Sequence, residues 1–369
     1  MHVLHVVGAR PNFMKAAPVL RAMNAYPGVL QTLVHTGQHY DPRMSDIFFA
    51  QLGMPAPDCN LEVGSGTHAQ QTAAVMVALE PVLRERQPDL VLVYGDVNST
   101  LAASLVCSKF GVRLAHVEAG LRSLDRSMPE EINRLLTDQV SDLLFTPSSD
   151  ADENLRREGI EKSKVHFVGN VMIDTLVRLL PETEARFDHN TPRPYALVTL
   201  HRPSNVDDLS WLGELLATLS DFSSNLTFIF PVHPRTRQRL NELRTLSKAG
   251  QNVRLCEPLP YLEFIALQRH AAMVITDSGG IQEETTFLGV PCLTVRQNTE
   301  RPITISMGTN QLVGRDVGQL KKAADAIMRK GSDRHTPARP IPLWDGHAAE
   351  RIARVIARGS LREAQTAKF

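Results

Sequence analysis

Polar residues that could carry out proton transfer follow several of the strands that this sequence predicts. Asp96 comes one glycine after an apolar run, Glu118 comes directly after the next one, and His201 follows a third run far along the chain. In open α/β proteins the carboxyl ends of parallel strands meet at one edge of the sheet, where ligands bind. Carboxylates and an imidazole collected at such an edge predict general acid-base chemistry.

Further charged residues occupy comparable places. Arg10 follows the first apolar run, with Lys15 one turn into the helix after it, and Glu130 follows Pro129 in the first turn of another predicted helix. Each candidate also has an ordinary structural interpretation. Asp96 could cap the next helix, Glu118 could pair with an arginine, His201 could be a loop histidine, and acids suit the first turn of any helix.

A short glycine turn in the second half of the chain predicts a phosphate site. Ser278-Gly279-Gly280 lies between a buried strand and an amphipathic helix, and a helix N-terminus with glycines lets backbone amides approach an anion closely. Glu283 and Glu284 come next, and one of them is better placed to accept hydrogen bonds from the hydroxyls of a sugar. A nucleotide therefore fits better than free phosphate, although an ordinary capped turn has the same pattern.

A metal centre is the first alternative for such a set of side chains, and we expect none. His116 stands two residues before Glu118 in a buried strand, while the other candidates come from separate strand ends rather than from a compact ligand motif. The four cysteines are scattered without a C-x-x-C pair, as in a reduced cytosolic protein. We expect a cytoplasmic chain, because no apolar run is long enough for a signal peptide or a membrane span.

Composition places few limits on function. The 369 residues are enough for two domains, and 43% of them are hydrophobic. Forty basic residues balance forty acidic ones, so no net field attracts nucleic acid or an anionic membrane. Any anion site must be local.

Apolar runs alternate with amphipathic helical segments along the whole chain, which predicts two doubly wound α/β domains with parallel sheets. We expect domains at 1–180 and 195–369, with a polar, proline-bounded linker at 181–194 and a last helix that could pack on the first domain. The predicted strands cover 2–8, 30–34, 90–94, 114–117, 143–146, 165–168, 196–200, 226–230, 253–255, 273–276 and 292–295. The predicted helices lie near 11–23, 45–52, 68–86, 101–110, 130–139, 150–158, 211–222, 235–248, 262–270, 279–288, 318–329 and 346–358.

Several motifs together resemble the non-hydrolysing UDP-N-acetylglucosamine 2-epimerase family, collinearly over nearly the whole chain. The most specific are His-Val-Glu-Ala-Gly-Leu-Arg at 116–122 and Asp-Ser-Gly-Gly-Ile-Gln-Glu-Glu at 277–284. Others are Gly-Ala-Arg-Pro at 8–11, Thr-Gly-Gln-His at 36–39, Gly-Asp at 95–96, Pro-Glu-Glu at 129–131 with Asn-Arg at 133–134, and Thr-Glu-Arg-Pro at 299–302. The resemblance implies a GT-B fold, in which two Rossmann-like domains face a central cleft. It also implies a cytosolic homodimer without a cofactor that interconverts UDP-N-acetylglucosamine and UDP-N-acetylmannosamine for surface polysaccharides.

The resemblance also implies roles for individual residues. The positions that match the catalytic set are Asp96, Glu118, Glu130 and His201. Those that match substrate-binding positions are Arg10, Lys15, Arg134, Phe264, Ser278, Gly279, Gly280, Glu284 and Arg301. Gln38 and His39 match part of a site at which some family members bind a second substrate molecule. Tyr40 replaces an arginine there, and the loss of a guanidinium predicts weak or absent activation by substrate.

Two further departures from the family pattern concern the sugar pocket. The usual His-Arg-Arg-Glu-Asn is His-Arg-Pro-Ser-Asn at 201–205, and the loop between Glu118 and Glu130 is short. Relatives that act on UDP-2,3-diacetamido-2,3-dideoxyglucuronic acid share the Gly-Ala-Arg-Pro and Met-Pro-Glu-Glu-Ile-Asn-Arg wording, so that substrate is an alternative. A GT-B glycosyltransferase is an alternative of another class, since fold alone does not separate the two, and a non-catalytic regulator is a third.

The candidate residues suit the family chemistry. Elimination of UDP leaves a cationic carbon 1 and makes the carbon 2 proton acidic, which gives a 2-acetamidoglucal to which UDP adds back. Arg10, the Ser278 turn and Arg301 could stabilise the departing diphosphate. Asp96, Glu118 and Glu130 are the candidates for a carboxylate beside the cation and for acid-base groups on the two faces of carbon 2.

Overall fold

Two parallel β-sheets with packed helices make up this structure, a computed structural model that describes residues 1–38, 49, 51–222, 226–242, 252–331 and 340–366. The chain divides into two compact units, one formed by Met1–Thr175 with Pro342–Phe369 and the other by Leu176–Ile341. The predicted α/β class with two doubly wound domains is confirmed.

The first unit contains a parallel sheet of seven described strands in the order β3-β2-β1-β4-β5-β6-β7. Its strands are β1 (His2–Val7), β2 (Leu30–His35), β3 (Cys59–Asn60), β4 (Leu90–Tyr94), β5 (Arg113–Val117), β6 (Leu143–Thr146) and β7 (Val165–Phe167). Its helices are α1 (Arg10–Met23), α2 (His68–Arg86), α3 (Asn98–Phe110), α4 (Pro129–Val140), α5 (Ser149–Arg157), the start of α6 (Val171–Thr183), and a last helix at Ala348–Thr366.

The second unit repeats this architecture with six described strands in the order β10-β9-β8-β11-β12-β13. The strands are β8 (Tyr195–Thr199), β9 (Thr227–Pro231), β10 (Val253–Cys256), β11 (Met273–Thr276), β12 (Cys292–Thr294) and β13 (Asn310–Leu312). The helices are α7 (Pro203–Val206), α8 (Leu209–Ser220), α9 (Pro234–Glu242), α10 (Tyr261–His270), α11 (Gly279–Leu288), α12 (Ile303–Ser306) and α13 (Val317–Arg329). The last helix of the chain, α14 (Ala348–Thr366), belongs to the first unit.

Each sheet is assembled around a strand that is apolar on both faces. β4 is buried over its whole length, and β1 beside it pairs in parallel with β2 on one side and β4 on the other. A strand covered by helices on both faces must be apolar throughout, which is why these runs are continuous rather than alternating. The chain reverses in strand order between β1 and β4 and again between β8 and β11. In open α/β sheets ligands bind at such a reversal, at the carboxyl ends of the strands.

The stretch predicted as a linker differs from the expectation. α6 extends through Pro181 to Thr183, and a 3-10 turn follows at Glu184–Arg186. Proline disturbs only the turn that precedes it, so a helix can end shortly after it. No part of α6 was predicted as a helix, and the short strands β3 and β13 were not predicted either. Two or three residues are too few to show a period in the sequence.

The last helix is fixed to the first unit by a buried carboxylate. Asp174, on α6, accepts hydrogen bonds from the backbone N–H groups of Ala348 and Ala349 at 3.1 and 2.7 Å. Those two N–H groups belong to the first turn of α14, where no carbonyl of the same helix can accept from them. Burial raises the pKa of Asp174 to about 6.

Some predicted elements fall partly outside the described residues. Most of the helix predicted at 45–52 lies there, as does the end of the helix predicted at 235–248. Within the described residues, no helix is both long enough and apolar enough to cross a bilayer. All four cysteines are free thiols, with Cys107 and Cys292 buried and Cys59 and Cys256 half-buried.

Candidate active site

Glu118 occupies a constrained position at the end of β5. Its backbone lies in the left-handed region with φ at 74°, which is uncommon for a residue with a side chain and marks a conformation imposed by the surroundings. The carboxylate is buried and forms an ion pair with Lys15 on α1. Of the two arginines that the sequence offered as partners, Arg122 binds Asp138 and Glu158, and Arg134 binds Asp96 and Glu131.

Gly95 makes the approach of this ion pair possible. Its φ is +63°, and a Cβ atom there would lie 2.5 Å from Lys15 Nζ and 3.2 Å from Glu118 Oε2. Any side chain would therefore displace the ammonium group from the carboxylate. The glycine lets the turn after β4 pack directly against the carboxylate that follows β5.

Asp96 follows that glycine and pairs with Arg134, a fully buried side chain on α4. It does not cap α3, because the residue at the cap position is Val97. The side chain of Asp96 is 26% exposed, whereas that of Glu118 is 3% exposed. The first unit thus presents two carboxylates at adjacent strand ends, each held by its own cation and only one of them open to solvent.

The carboxylate of Glu131, on α4, orders the loop that leads to this helix. Glu131 accepts hydrogen bonds from Ser123 N–H at 2.9 Å and Leu124 N–H at 2.9 Å, and it pairs with Arg134 at 2.6 Å. Burial alone would raise the pKa of Glu131, but these donors and the guanidinium hold it below its usual value. Glu130, one residue earlier, is half-buried and has no ion-pair partner in the part of the chain that the structure describes.

Two remaining candidates of the first unit lie on or near α1. Arg10 is its exposed first residue, and the helix begins where Asn12 accepts hydrogen bonds from the N–H groups of Gly8 and Ala9, both at 3.1 Å. Gln38 is buried, and its side-chain oxygen accepts from the hydroxyl of Ser99 at 2.7 Å. His39 and Tyr40 lie outside the described residues.

In the second unit, a buried carboxylate organises the turn after β8. Asp277 accepts hydrogen bonds from the N–H groups of His201 and Arg202 and from the side chain of Asn205, and its Oδ1 lies 2.9 Å from His201 Nδ1. Burial would raise the pKa of Asp277, but His201 and these donors keep it below its usual value. An ionised carboxylate requires a proton on Nδ1, so Nε2 of the half-exposed ring is the nitrogen available for proton transfer.

The glycine turn that follows Asp277 leads into α11 as predicted. Ser278 stands at the N-cap position, but its side chain makes no capping hydrogen bond, and Gly279 and Gly280 form the first turn. The amides of that turn have no acceptor within their own helix, so they suit an anion. A Cβ atom on Gly279 would overlap the guanidinium of Arg301 and would lie 2.6 Å from Glu300 Oε1.

Arg301 therefore lies directly against the start of α11. It pairs with Glu283 at 2.8 Å and with Glu300 at 2.5 Å, and Arg296 binds the other oxygen of Glu300 at 2.7 Å. Burial alone would raise the pKa of Glu300, but the charges of Arg301 and Arg296 hold it well below its usual value. The guanidinium is thus fixed in place beside the helix N-terminus before any ligand arrives.

Glu284 is in a different environment from Glu283, although the two are adjacent in sequence. Its carboxyl accepts hydrogen bonds from the hydroxyl of Tyr261 at 2.8 Å and from the amide of Gln268 at 3.3 Å, both on α10. Burial raises its pKa to about 7, despite these donors. Phe264, on the same helix as Tyr261, is half-buried and packs against the apolar cluster around Val274 and Val290.

Comparison with known proteins agrees with this geometry. A family model described as UDP-N-acetylglucosamine 2-epimerase matches residues 21–357. A UDP-N-acetylglucosamine 2-epimerase of Methanocaldococcus jannaschii is 41% identical over 96% of this chain and 98% of its own. A UDP-2,3-diacetamido-2,3-dideoxy-D-glucuronate 2-epimerase of Pseudomonas aeruginosa is 40% identical over 97% of this chain and 100% of its own.

A solved structure matches the whole fold. The crystal structure of the M. jannaschii UDP-GlcNAc 2-epimerase in complex with UDP-GlcNAc and UDP superposes with a TM-score of 0.88 at 40% identity, covering 97% of this chain and 100% of that one. The molecule is thus an α/β protein of GT-B-type architecture, with a doubly wound sheet in each unit. The chain belongs to the UDP-N-acetylglucosamine 2-epimerase family. The family predicted from the sequence motifs is confirmed.

Several residues that support the candidate site were missed by the sequence analysis. Arg134 was predicted to bind substrate, but its ion pair with Glu131 was not predicted. The two residues stand three apart on one helix face, a spacing at which opposite charges pair, so the sequence did indicate this contact. Tyr261 and Gln268, in contrast, reach Glu284 from another helix, and Asp138 reaches His116 across more than twenty residues of sequence. No local pattern indicates such contacts.

Proposed function

We propose that this protein epimerises UDP-N-acetylglucosamine at carbon 2 to UDP-N-acetylmannosamine, without a cofactor, by elimination and re-addition of UDP. The proposal rests on the different chemical groups that the two units hold. The first holds Asp96 and Glu118 at adjacent strand ends, each with its own cation. The second holds Arg301 against a helix N-terminus. Carboxylates suit proton transfer and oxocarbenium stabilisation, whereas the amides and guanidinium suit a diphosphate leaving group.

The reaction follows from these parts. The bond between carbon 1 and the UDP oxygen breaks, and UDP leaves with the electron pair, stabilised by Arg301 and the Ser278 turn. A carboxylate of the set Asp96, Glu118 and Glu130 removes the carbon 2 proton, and that electron pair forms the double bond of 2-acetamidoglucal. A proton is then returned to the opposite face of carbon 2 as the UDP oxygen adds back to carbon 1. No net redox change occurs, so no nicotinamide is required.

The remaining roles belong to the same proposal. Lys15 and Arg134 would bind the substrate while each pairs with a carboxylate, Lys15 with Glu118 and Arg134 with Asp96. His201 would serve as an acid-base group through Nε2. Arg10 and Phe264 would contact the nucleotide sugar, and Glu284 would accept hydrogen bonds from ribose hydroxyls.

The cellular setting is part of this proposal as well. We expect a cytoplasmic homodimer that serves the synthesis of surface polysaccharides. Exposed apolar side chains on the described part of the first unit suit a subunit interface, with Val77 on α2 73% exposed and Leu136 on α4 43% exposed. Sedimentation of the purified protein at several concentrations would test the dimer.

A second substrate is favoured by one comparison. The P. aeruginosa relative named for UDP-2,3-diacetamido-2,3-dideoxy-D-glucuronate is as similar to this chain as the N-acetylglucosamine epimerases are. Both substrates have an acetamido group at carbon 2 and a UDP leaving group, so the elimination chemistry is the same. They differ at carbons 3 and 6, where the proposed reaction makes and breaks no bond.

A proton NMR time course in deuterium oxide tests the function. The C2 hydrogen leaves as a proton and returns from a protein acid that exchanges with solvent, so UDP-N-acetylmannosamine should appear with deuterium at carbon 2. Epimer that keeps protium at carbon 2 contradicts elimination through an exchangeable acid. Turnover of the diacetamido-glucuronate alone would assign the second substrate, and sugar transfer to an added acceptor would assign a glycosyltransferase.

A further inference from the structure

A buried histidine lies beneath the two carboxylate-bearing turns of the first unit. His116, in β5, is fully buried, and neither of its ring nitrogens faces solvent. Nδ1 lies 2.6 Å from Asp138 Oδ1, and Nε2 lies 2.8 Å from the carbonyl oxygen of Gly95. Both neighbours are oxygen atoms with lone pairs.

The hydrogen-bond partners of this ring determine which of its nitrogens carry protons. A carbonyl oxygen can only accept, so Nε2 must carry a proton to lie at hydrogen-bond distance from it. The other neighbour, Asp138, also accepts from Gly120 N–H at 3.1 Å and pairs with Arg122 at 2.7 Å. Burial would raise the pKa of Asp138, but His116 and Arg122 hold it below its usual value, so it is an ionised acceptor. Nδ1 must therefore carry a proton too.

The charges around the ring balance. An imidazolium at His116 and the guanidinium of Arg122 face the carboxylates of Asp138 and Glu158, the latter 2.6 Å from Arg122. Two cations and two anions leave no net buried charge, which would otherwise be costly.

The carbonyl bound by His116 belongs to the turn that presents Asp96. Three successive carbonyl oxygens of that turn accept from side chains of three different elements. They are those of Tyr94, bound by Asn12 at 2.7 Å, of Gly95, bound by His116 at 2.8 Å, and of Asp96, bound by Asn133 at 2.8 Å. Of these three donors, only His116 can carry a charge, and a charged donor makes the stronger hydrogen bond.

The same histidine is linked to the turn that follows Glu118. Asp138, its partner, accepts from the N–H of Gly120, two residues after Glu118. Glu118 is held at a positive φ, a conformation that persists only when its surroundings impose it. One buried ion pair thus contacts both turns that present the candidate carboxylates.

We propose that His116 is a doubly protonated positioning residue. Together with Asp138, it holds the turns that present Asp96 and Glu118 in the relative position that catalysis requires. This role rests on the proposed function, since it concerns the geometry of its acid-base groups. His116 does not touch the substrate. Its effect is on the placement of two carboxylates, and displacement of a catalytic group by about an ångström can lower a rate by about a hundredfold.

His5 provides a matched control within the same sheet. It is also fully buried, but it lies in β1 with Nδ1 2.7 Å from the hydroxyl of Tyr94, and burial lowers its pKa to about 3. The ring of His5 is therefore neutral, with one protonated nitrogen. It serves as an internal reference in spectra and as a burial-matched site for substitution.

Nitrogen-15 NMR of the wild-type protein tests the ring protons without any turnover. We expect both ring nitrogens of His116 to carry protons, as its two acceptor neighbours require, while His5 shows one protonated and one bare nitrogen. Asp138→Asn should leave His116 with a single ring proton. A bare nitrogen on His116 in the wild-type protein would overturn the proposal, and this outcome has the same meaning whether or not the protein epimerises UDP-N-acetylglucosamine.

Kinetics test the positioning role. His116→Gln should lower kcat by about a hundredfold with little change in KM, because substrate binding is retained while the reacting groups are displaced. His5→Gln should keep the wild-type kcat. Equal losses in the two variants, or an unchanged kcat in a folded His116→Gln protein, would contradict the proposal. If His116→Gln does not fold, the ring spectra of the wild-type and Asp138→Asn proteins decide.

Discussion

The two units share a strand order but differ in the residues that come after their strands. In the first, the residues after β4 and β5 are Asp96 and Glu118, each paired with a cation. In the second, the strand at the equivalent place in the sheet, β11, is followed by a serine-glycine-glycine turn and a helix N-terminus with Arg301 beside it. The same scaffold thus presents paired carboxylates in one unit and an arginine beside a helix N-terminus in the other. Function resides in the strand-end residues rather than in the fold.

The candidate carboxylates also have different neighbours in the two units. The first pairs Glu118 with Lys15 and Asp96 with Arg134. The second leaves Glu284 among neutral donors, where burial raises its pKa to about 7. Variants of Asp96 and Glu130 should therefore change the rate of the chemical step, and variants of Arg301 and Glu284 should change nucleotide affinity.

The largest effect is expected in the first unit. Asp96→Asn and Glu130→Gln keep shape but remove the charge and basicity of the carboxylate, so each should lower kcat by about a hundredfold or more. UDP affinity, measured by calorimetric titration, should not change. Glu153→Gln, on the exposed face of α5, is the matched control and should leave both quantities as they are, because exposed ion pairs contribute little. A loss of UDP affinity in Asp96→Asn would break the proposed division between the units.

The next effect belongs to the second unit. Arg301→Ala should weaken UDP binding by about 1.5 to 3 kcal/mol, the contribution of a hydrogen bond to a charged group. Arg315→Ala, which removes an arginine paired with Asp208 in the same unit, should not. Calorimetric titration of the folded variants measures both. Unchanged UDP affinity in Arg301→Ala would remove that guanidinium from the diphosphate site.

The smallest effect is a pH dependence of UDP affinity that comes from Glu284. Below about pH 7 its carboxyl is protonated in the free protein and cannot accept two ribose hydroxyls. Affinity should therefore rise by up to about tenfold per pH unit as pH approaches 7 and level off above it. UDP itself also titrates, but the wild-type protein and Glu284→Gln bind the same ligand. The difference between their curves of UDP affinity against pH therefore gives the contribution of the Glu284 carboxyl. Identical curves of UDP affinity against pH for the wild-type protein and Glu284→Gln would show that the Glu284 carboxyl does not bind the ribose.

The same carboxyl makes an opposite contribution to folding. In the unfolded chain Glu284 releases its proton near its ordinary pKa of 4.5, whereas the folded protein keeps it up to about 7. Since the folded state binds more protons between these values, stability falls as pH rises through that window. Tyr261→Phe removes a donor that lowers this pKa, so it should shift both the affinity profile and the stability window to higher pH.

Much of the architecture could be predicted from the sequence. Short continuous apolar runs such as Leu90–Tyr94 indicate strands covered on both faces, and their alternation with helices predicts a parallel sheet. The glycine turn before α11 and the acids at the ends of β4 and β5 were visible as well, because each follows its strand directly. These features depend on residues that are adjacent in the chain, so the sequence alone is enough to predict them.

Pairing partners and protonation states were decided only by the tertiary structure. Glu118 could have paired with Arg122 or Arg134, but the fold brings Lys15 to it across a hundred residues and sends both arginines elsewhere. Glu283 and Glu284 are identical and adjacent, yet one lies against Arg301 and the other against Tyr261. The environment that sets a charge is made of residues distant in sequence, so the chain specified which groups are present and the packing determined which of them are ionised.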